Sequence, residues 1–430
     1  MLKDELRNTI IELIDSGKFP AVSEKLKAVG IRNFSDAEID QVAELFSKIP
    51  EDAMYSSLDL LYCSCLIHHM KGDSENAAKF QAVLNAMSGA EIKARCALLQ
   101  TGQSKEILLV LANISKMAGD TKHPQLEKIS ATGGAPSVLR GTADLSALGK
   151  YYESSKSIAK PKLAYVFDDG GEGICEAAIA EVLIERGNDE GAVPYAKEAA
   201  TAKSSEIAFA GNALLARASG NVKFLAEAAK IAERSTWLAD NYRALAIRFD
   251  IHSGDEEKVS QWLETADGLD AAKPGHLYRL ITKAKALVMF KDPVACSLLE
   301  ELTAVCIKRN RTLDTIECSA LWAAALDVAG KQDEAFEKLE AALVSAQGYS
   351  YIRVFKDLGK GFEELLEKFA MREHAVNKYF MEKIVKINET KPELTPGPTQ
   401  TSVENTKAVE NIPVETEAQA APKKKKVVKK

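Results

Sequence analysis

The feature that most constrains this chain is a short punctuation that recurs along it. An apolar helical run ends at Gly, a polar turn carrying Asp or Asn follows, and a second helical run opens. The copies are HHMKGDSENAAKF at Gly72, IERGNDEGAVPYA at Gly187, ARASGNVKFLAEA at Gly220, IHSGDEEKVSQWL at Gly254 and DVAGKQDEAFEKL at Gly330. A weaker copy, VMFKDPVACSLL, places Lys291 where the Gly belongs. From Gly187 the steps to Gly220, Gly254, Lys291 and Gly330 are 33, 34, 37 and 39 residues.

A period of about 34 residues is that of tetratricopeptide (TPR) helix pairs. The residue types agree with it. Gly supplies the left-handed cap that ends the first helix, and Asp or Asn caps the start of the second. Five residues past the Gly, Ala77, Ala192 and Ala335 offer a small side chain for close approach of paired helices, while Leu225 and Val259 depart from that pattern. Each pair has an apolar face it cannot cover alone, so the pairs stack, share one continuous core and curve. That accounts for a chain of 430 residues, longer than a single compact core usually sustains. The expected fold class is all-α, a TPR-like helical-repeat superhelix (α-solenoid) with a disordered C-terminal tail.

Composition supports helices over sheets. Aromatic residues are 7% of the chain, and the dominant Ala, Leu, Glu and Lys lose little rotamer freedom in a helix. The formal net charge of -6 argues against a strongly basic nucleic-acid binder. The sign is uneven, because eight Lys against five Glu leave the residues from Lys391 onward near +3 and the rest near -9. The seven cysteines show no CxxC spacing and most sit in apolar helical runs, as Cys175 does in GICEAAIAEVLI, which fits reduced, buried thiols in a cytosolic protein. MLKDELRNTIIELI reads as an amphipathic helix rather than a signal peptide, and no apolar run is long enough to span a bilayer. The expected location is cytoplasmic.

Four regions follow. An N-terminal helical block covers 1–118, an irregular connection 119–175, TPR-like repeats 176–390 and a disordered tail 391–430. The connection contains GDTKHPQ, SATGGAPSVLRG and FDDGGEG, whose Gly and Pro content reads as loops between short helices. Within the repeats, QGYSYIRVFKDLGKG forms a non-periodic joint before one helix, GFEELLEKFAMREHAVNKYFMEKIVKIN. The tail is poor in large apolar residues and rich in Pro, Thr and Glu, so it cannot offset its ordering entropy by burial.

Three stretches carry a family resemblance. Ile49, Pro50, Glu51, Leu60, Leu61, Gly72, Asp73 and Ala77 form the first; Pro136, Ser137, Val138, Leu139, Ala180, Glu181 and Gly187 form the second. The third is Tyr351, Arg353, Phe355, Asp357 and Gly359, with Ser350 standing where a Gly is expected. Together they resemble the helical sensor arm of the MalT-like, LuxR-type ATP-dependent transcription regulators. The likeness runs over about 1–390. Regulators of this type have a P-loop ATPase, the arm and a helix-turn-helix. Here no GxxxxGK[ST] occurs, and the Gly-Lys pairs at Gly17, Gly149, Gly330 and Gly359 are not followed by Ser or Thr. After the arm, LTPGP runs into a polar tail without helical period, so no recognition helix is expected. The chain reads as an arm standing alone, to which ATP hydrolysis and major-groove reading do not transfer.

Four sets of residues invite chemistry. Cys65 and His69 lie four apart on a helix beside Cys63 and His68, as zinc ligands do, but no second ligand pair has the usual spacing. Core packing of the Cys, with the His near the helix end, is the plainer reading. Asp168, Asp169 and Glu172 would gather a cation, yet they lack an EF-hand spacing and precede a helix whose positive end they favour. Trp237, Tyr242, Trp262, Tyr278 and Trp322 fall in the repeats, either as core or along the concave surface where such superhelices hold peptides or small effectors. Finally, Lys423, Lys424, Lys425, Lys426, Lys429 and Lys430 crowd the last eight residues. They suit nucleic-acid phosphates, anionic lipid or a nuclear import receptor, or simply a solubilising tail. No GxSxG or HExxH occurs and the six His are scattered, so no enzyme, metal or cofactor is expected. The expected role is a non-enzymatic module that binds a protein, or a small effector, along its groove. The alternative is a nucleic-acid-associated protein that works through the Lys tail.

Overall fold

The computed structural model describes residues 2–99, 104–117, 129–141, 145, 163, 165–167 and 171–389. By internal contacts the chain divides into Met1–Pro392 and Glu393–Lys430, and the second unit lies outside the described residues. Twenty-one α-helices and no strand occur among the described residues; a single bridge joins Ile129 to Phe167.

Eight helices fill the N-terminal part, from α1 (Asp4–Asp15) to α8 (Ser104–Met117), with α5 (Leu58–Lys71) and α6 (Ser74–Ala86) as a Gly72-capped pair. The regular stack follows as five pairs. They are α9 and α10 (Ile174–Glu185, Asp189–Ala200), α11 and α12 (Ser205–Ser219, Val222–Ala232) and α13 and α14 (Thr236–Ser253, Glu256–Thr265). Next come α15 and α16 (Leu277–Met289, Val294–Lys308) and α17 and α18 (Thr312–Val328, Gln332–Tyr349). A short α19 (Arg353–Lys356), then α20 (Lys360–Ala370) and α21 (Lys378–Glu389), complete it. This is the TPR-like solenoid that the period predicts.

The caps bear out the reading of the punctuation. Gly72, Gly187, Gly220, Gly254 and Gly330 all have positive φ, between 64° and 79°. Lys291 takes the same left-handed conformation at φ 57°, and Ser350 does so at 59°. The sixth copy therefore keeps its geometry without its glycine. Its closing hydrogen bond, Asp292 N–H to Leu287 C=O at 2.9 Å, matches Asp255 N–H to Asp250 C=O at 3.0 Å after Gly254. Across the turn, Asp73, Asn188, Asn221 and Asp255 each accept a backbone N–H in the first turn of the following helix. Ala77, Ala192 and Ala335 are buried at the pair interfaces.

One element differs from expectation. The helix expected from Gly361 to Asn388 is two, α20 and α21, broken between them. The backbone N–H of Ala375 turns to the Glu340 carboxylate at 2.6 Å and that of Asn377 to Gln347 at 2.9 Å, both on α18. Asn377 then accepts the Tyr379 N–H at 2.8 Å. Side chains from a neighbouring helix thus satisfy donors that a continuous helix would have paired internally, a tertiary effect that no local pattern contains.

Apolar packing runs along the stack in overlapping clusters. Ile107, Val110 and Leu111 of α8 pack with Ile174, Ala177 and Ala178 of α9, so the N-terminal part shares a core with the first pair. Ion pairs from Lys308 and Arg309 to Asp36 join it also to α16.

Candidate functional site

The first helix of each pair presents its inner stripe to a segment of the same chain. Residues 129–141, ISATGGAPSVLRG, lie along that stripe in irregular conformation and are almost wholly buried. The sequence alone placed them in a connection. In the structure they form a compact loop packed against the first helices of the pairs.

Three kinds of contact hold the segment. The first is to its backbone. The Glu181 carboxylate, on α9, accepts the N–H of Val138 at 2.8 Å and of Leu139 at 3.0 Å through one oxygen. Its other oxygen accepts the Ser137 hydroxyl, and the Ser137 oxygen accepts the Arg140 N–H at 2.9 Å. Arg311 donates to the carbonyls of Arg140 and Gly141. The second is charge. The Arg140 guanidinium reaches Asp314 at 2.9 Å and also Glu317, both on α17. At the segment's other end, Glu206 accepts the Thr132 hydroxyl at 2.9 Å and that of Ser130. The third is apolar. Ala135 packs among Ala213, Ala244, Leu245 and Tyr278, and Leu139 packs with Val182, Ile316 and Ala320. Gly134, at φ 77°, lies so close to the Trp237 indole that a Cβ would meet the ring at 2.9 Å.

Around the Arg140 anchor the buried charges form a network. Arg248 pairs with Glu317 at 2.8 Å, donates to Thr282 at 2.8 Å and lies over the Tyr278 ring at 4.4 Å. Burial opposes the charge of Glu317, but Arg140, Arg248 and Lys285 outweigh it and hold its carboxyl down at about 2. Burial, which disfavours the charged ammonium, brings Lys285 down to about 8. Burial also raises Glu181, with Arg217 and Ser137 only partly offsetting it. Arg140 is raised well above its ordinary value because the neighbouring acids outweigh its burial. Such a network is costly to leave half-satisfied. Asn241, fully buried, sits one turn past Trp237 on α13, and neither of its side-chain amide atoms has a hydrogen-bond partner.

The stack closes on itself at the joint. Arg353 reaches Asp189 at 2.7 Å and Asp357 at 2.9 Å, while Arg217 pairs with Glu185 at 2.7 Å and Asp357 at 3.4 Å. The residues after the fifth pair therefore meet the first.

This succession of helix pairs is what a sequence comparison also finds. Residues 171–372 match the MalT-like TPR region. Comparison with curated proteins gives no match. The match spans all five pairs and the joint with Tyr351, Arg353, Phe355, Asp357 and Gly359. Of the other anchors read from the sequence, Ala180, Glu181 and Gly187 lie inside it, while those from Ile49 to Ala77 and from Pro136 to Leu139 lie before it.

The remaining candidate residues fall as follows. Cys63 and Cys65 are buried. Cys65 contacts the Ala77 carbonyl at 3.5 Å, and burial pushes its thiol up to about 12, which keeps it protonated. His68 turns to Asp73 at 3.0 Å and stacks on Phe80, while His69 approaches Gln81 at 3.4 Å. Cys65 also approaches the same Gln81 oxygen at 3.6 Å, so it shares a face with His69 while His68 turns away to Asp73; among the described residues no group of three His, Cys, Asp or Glu is placed to hold a metal ion. Glu172 is exposed and reaches Lys203 at 3.8 Å, whereas Asp168 and Asp169 lie outside the described residues. Within the MalT-like TPR region, Trp237 and Tyr278 face the segment, Trp262 packs behind Tyr278, and Trp322 lies under Lys338 at 4.1 Å. Tyr242 packs with Phe209 and Leu238. Lys423, Lys424, Lys425, Lys426, Lys429 and Lys430 lie outside the described residues. No helix among the described residues is long and apolar enough to cross a membrane.

Sequence reasoning did not find Arg140, Glu206, Arg311, Asp314 or Glu317. One signal was available. Glu176, Glu181 and Glu185 interrupt an otherwise apolar helix, ICEAAIAEVLIE, and a helix buried all round carries acids only where something pairs them.

Proposed function

We propose that this chain is a non-enzymatic binding module whose groove takes a turn-forming polypeptide segment, in a regulatory setting of the kind MalT-like arms serve. The observation that supports this reading is Glu181, which accepts two successive backbone N–H groups from a turn of the irregular segment. Hydrogen bonds to two consecutive N–H groups select a backbone that turns there, and side-chain pockets on either side add specificity. Arg140 on Asp314 and Glu317 is one such pocket, and Ala135 among Ala213, Ala244 and Tyr278 is another. The groups convergent here are paired acids and bases. The hydroxyls that meet a carboxylate, Ser137 on Glu181 and Ser130 and Thr132 on Glu206, belong to the packed loop itself, which is why binding is preferred to catalysis.

Affinity capture from native lysate tests the proposal, with the wild-type chain, a Glu181→Ala/Glu317→Ala chain and a chain ending at Asn388. Protein partners held by wild type and lost with the double substitution are expected. Partners indifferent to the groove but lost with the tail, and released by nuclease, would replace this reading with nucleic-acid association through the lysines.

A further inference from the structure

The groove on which the proposed function rests is already filled, and the filling is chemically matched to it. We infer that residues 130–141 are a resident occupant of the groove, exchangeable for a partner segment of the same chemistry: small residues followed by Ser, two aliphatics and Arg.

Four observations carry this. The segment folds into turns through its own Ser130, Thr132 and Ser137, and the groove holds that folded loop through two main-chain N–H groups, one hydroxyl and one guanidinium. It touches both ends of the stack, Glu181 and Glu206 in the first two pairs and Asp314 in the fifth. Its removal breaks no helix, since it contributes no helical turn. The groove also retains its own partial pairing without Arg140, because Arg311 stays on Asp314 at 2.7 Å and Arg248 on Glu317 at 2.8 Å.

The chemistry also specifies what replaces it. An empty groove would leave the Glu181 carboxylate with Arg217 at 3.9 Å but without the two N–H groups and the hydroxyl that the segment supplies, which is expensive. An incoming chain must therefore bring consecutive free N–H groups to Glu181, which excludes Pro at the Val138 and Leu139 positions. It must also bring a cation to the acids of α17, and a guanidinium matches two carboxylates better than an ammonium does. Opposite Trp237 it must carry Gly, because a Cβ there meets the ring. A tethered occupant acts at an effective concentration on the order of 1 mM, so it suppresses binding of an equivalent free segment in proportion to its occupancy.

The test uses the full chain and a fluorescein-labelled synthetic peptide of residues 130–141, read by anisotropy. Arg140→Ala weakens the resident segment while leaving the groove side intact. It is expected to bind the peptide at least about 10-fold more tightly than wild type does. A peptide with Ala for the Arg should not bind, nor should the wild-type peptide bind a chain carrying both Arg140→Ala and Glu181→Ala. Equal binding to wild type and Arg140→Ala would overturn resident occupancy and leave groove binding standing. No binding to an Arg140→Ala chain that keeps its thermal melt would overturn both. Hydrogen exchange on the wild-type chain covers the case in which the variant fails to fold. The amides of Val138 and Leu139 should exchange through an opening that leaves α11 protected. Exchange of both only together with α11 would make the segment a permanent part of the core and overturn the proposal.

Discussion

Ile352 donates its backbone N–H to the carbonyl of Glu185 at 2.7 Å, tying the joint after the fifth helix pair to the last turn of the first. Open repeat stacks are stabilised only between neighbours. This contact adds a long-range closure, and Arg353 reinforces it through Asp189 and Asp357. Arg353→Ala leaves Asp189 without its cation, while Asp357 keeps Arg217. A loss of about 2–3 kcal/mol is expected, read as a lower urea midpoint, and Arg353→Lys should recover only part of it because one ammonium cannot bridge two carboxylates in the same way. An unchanged midpoint for Arg353→Ala would mean the closure adds no stability.

Glu181→Gln should separate charge from shape. Gln keeps one acceptor oxygen for the Val138 and Leu139 amides but places an NH₂ donor toward the Ser137 hydroxyl. A loss of about 1–3 kcal/mol is expected, with faster amide exchange confined to residues 137–140. Uniformly faster exchange over the whole stack would show instead that Glu181 supports α9 rather than the segment.

The left-handed caps give a clean backbone test. Lys291 and Ser350 hold positive φ without being glycine. Each costs roughly 1 kcal/mol for that conformation, so Lys291→Gly and Ser350→Gly should each raise stability by up to about 1 kcal/mol. Gly254→Ala should lower it by about as much, since a Cβ there meets no neighbouring atom and only the backbone conformation is strained. Thermal melts of the three variants suffice, and a destabilised Lys291→Gly would contradict the reading of that turn as a repeat cap.

Two opposite titrations predict the pH profile. Glu317 has a folded value of about 2, below its ordinary 4.5, so its contribution is present above 4.5 and is lost as the pH falls through about 2. That contribution is on the order of 3 kcal/mol. Glu181, raised by burial, acts in the opposite direction, favouring the fold at low pH and losing that contribution as pH rises. Comparison with Glu317→Gln isolates the first effect: the variant should show a shallower loss of melting temperature on acidification. Lys285 has a folded value of about 8, below its ordinary 10.5, so the unfolded chain binds more protons between these values and stability should rise with pH there. Lys285→Met should lack that alkaline rise in urea titrations at pH 8 and 10; retention of the rise would assign it to other groups.

How much of this was legible differs from element to element. The repeat period, the Gly caps, the Asp and Asn that open the second helices and the small residues at 77, 192 and 335 are local or near-local properties, and the sequence determined them. A left-handed turn needs its residue within a few positions, and an apolar stripe declares its partner by its period. Even the exceptions at Lys291 and Ser350 were marked as breaks in a pattern, and the tertiary structure showed only that the backbone kept the pattern where the residue did not. The destination of residues 129–141 was decided elsewhere. Arg140 meets Asp314 and Glu317, and Val138 meets Glu181, across long stretches of chain, and no periodicity encodes such pairings because charge complementarity carries no sequence separation. The break between α20 and α21 has the same origin, since Glu340 and Gln347 supply acceptors from a neighbouring helix. Spacing wrote the solenoid into the chain. Which segment fills its groove, and where its ends meet, depended on curvature that exists only once the pairs have stacked.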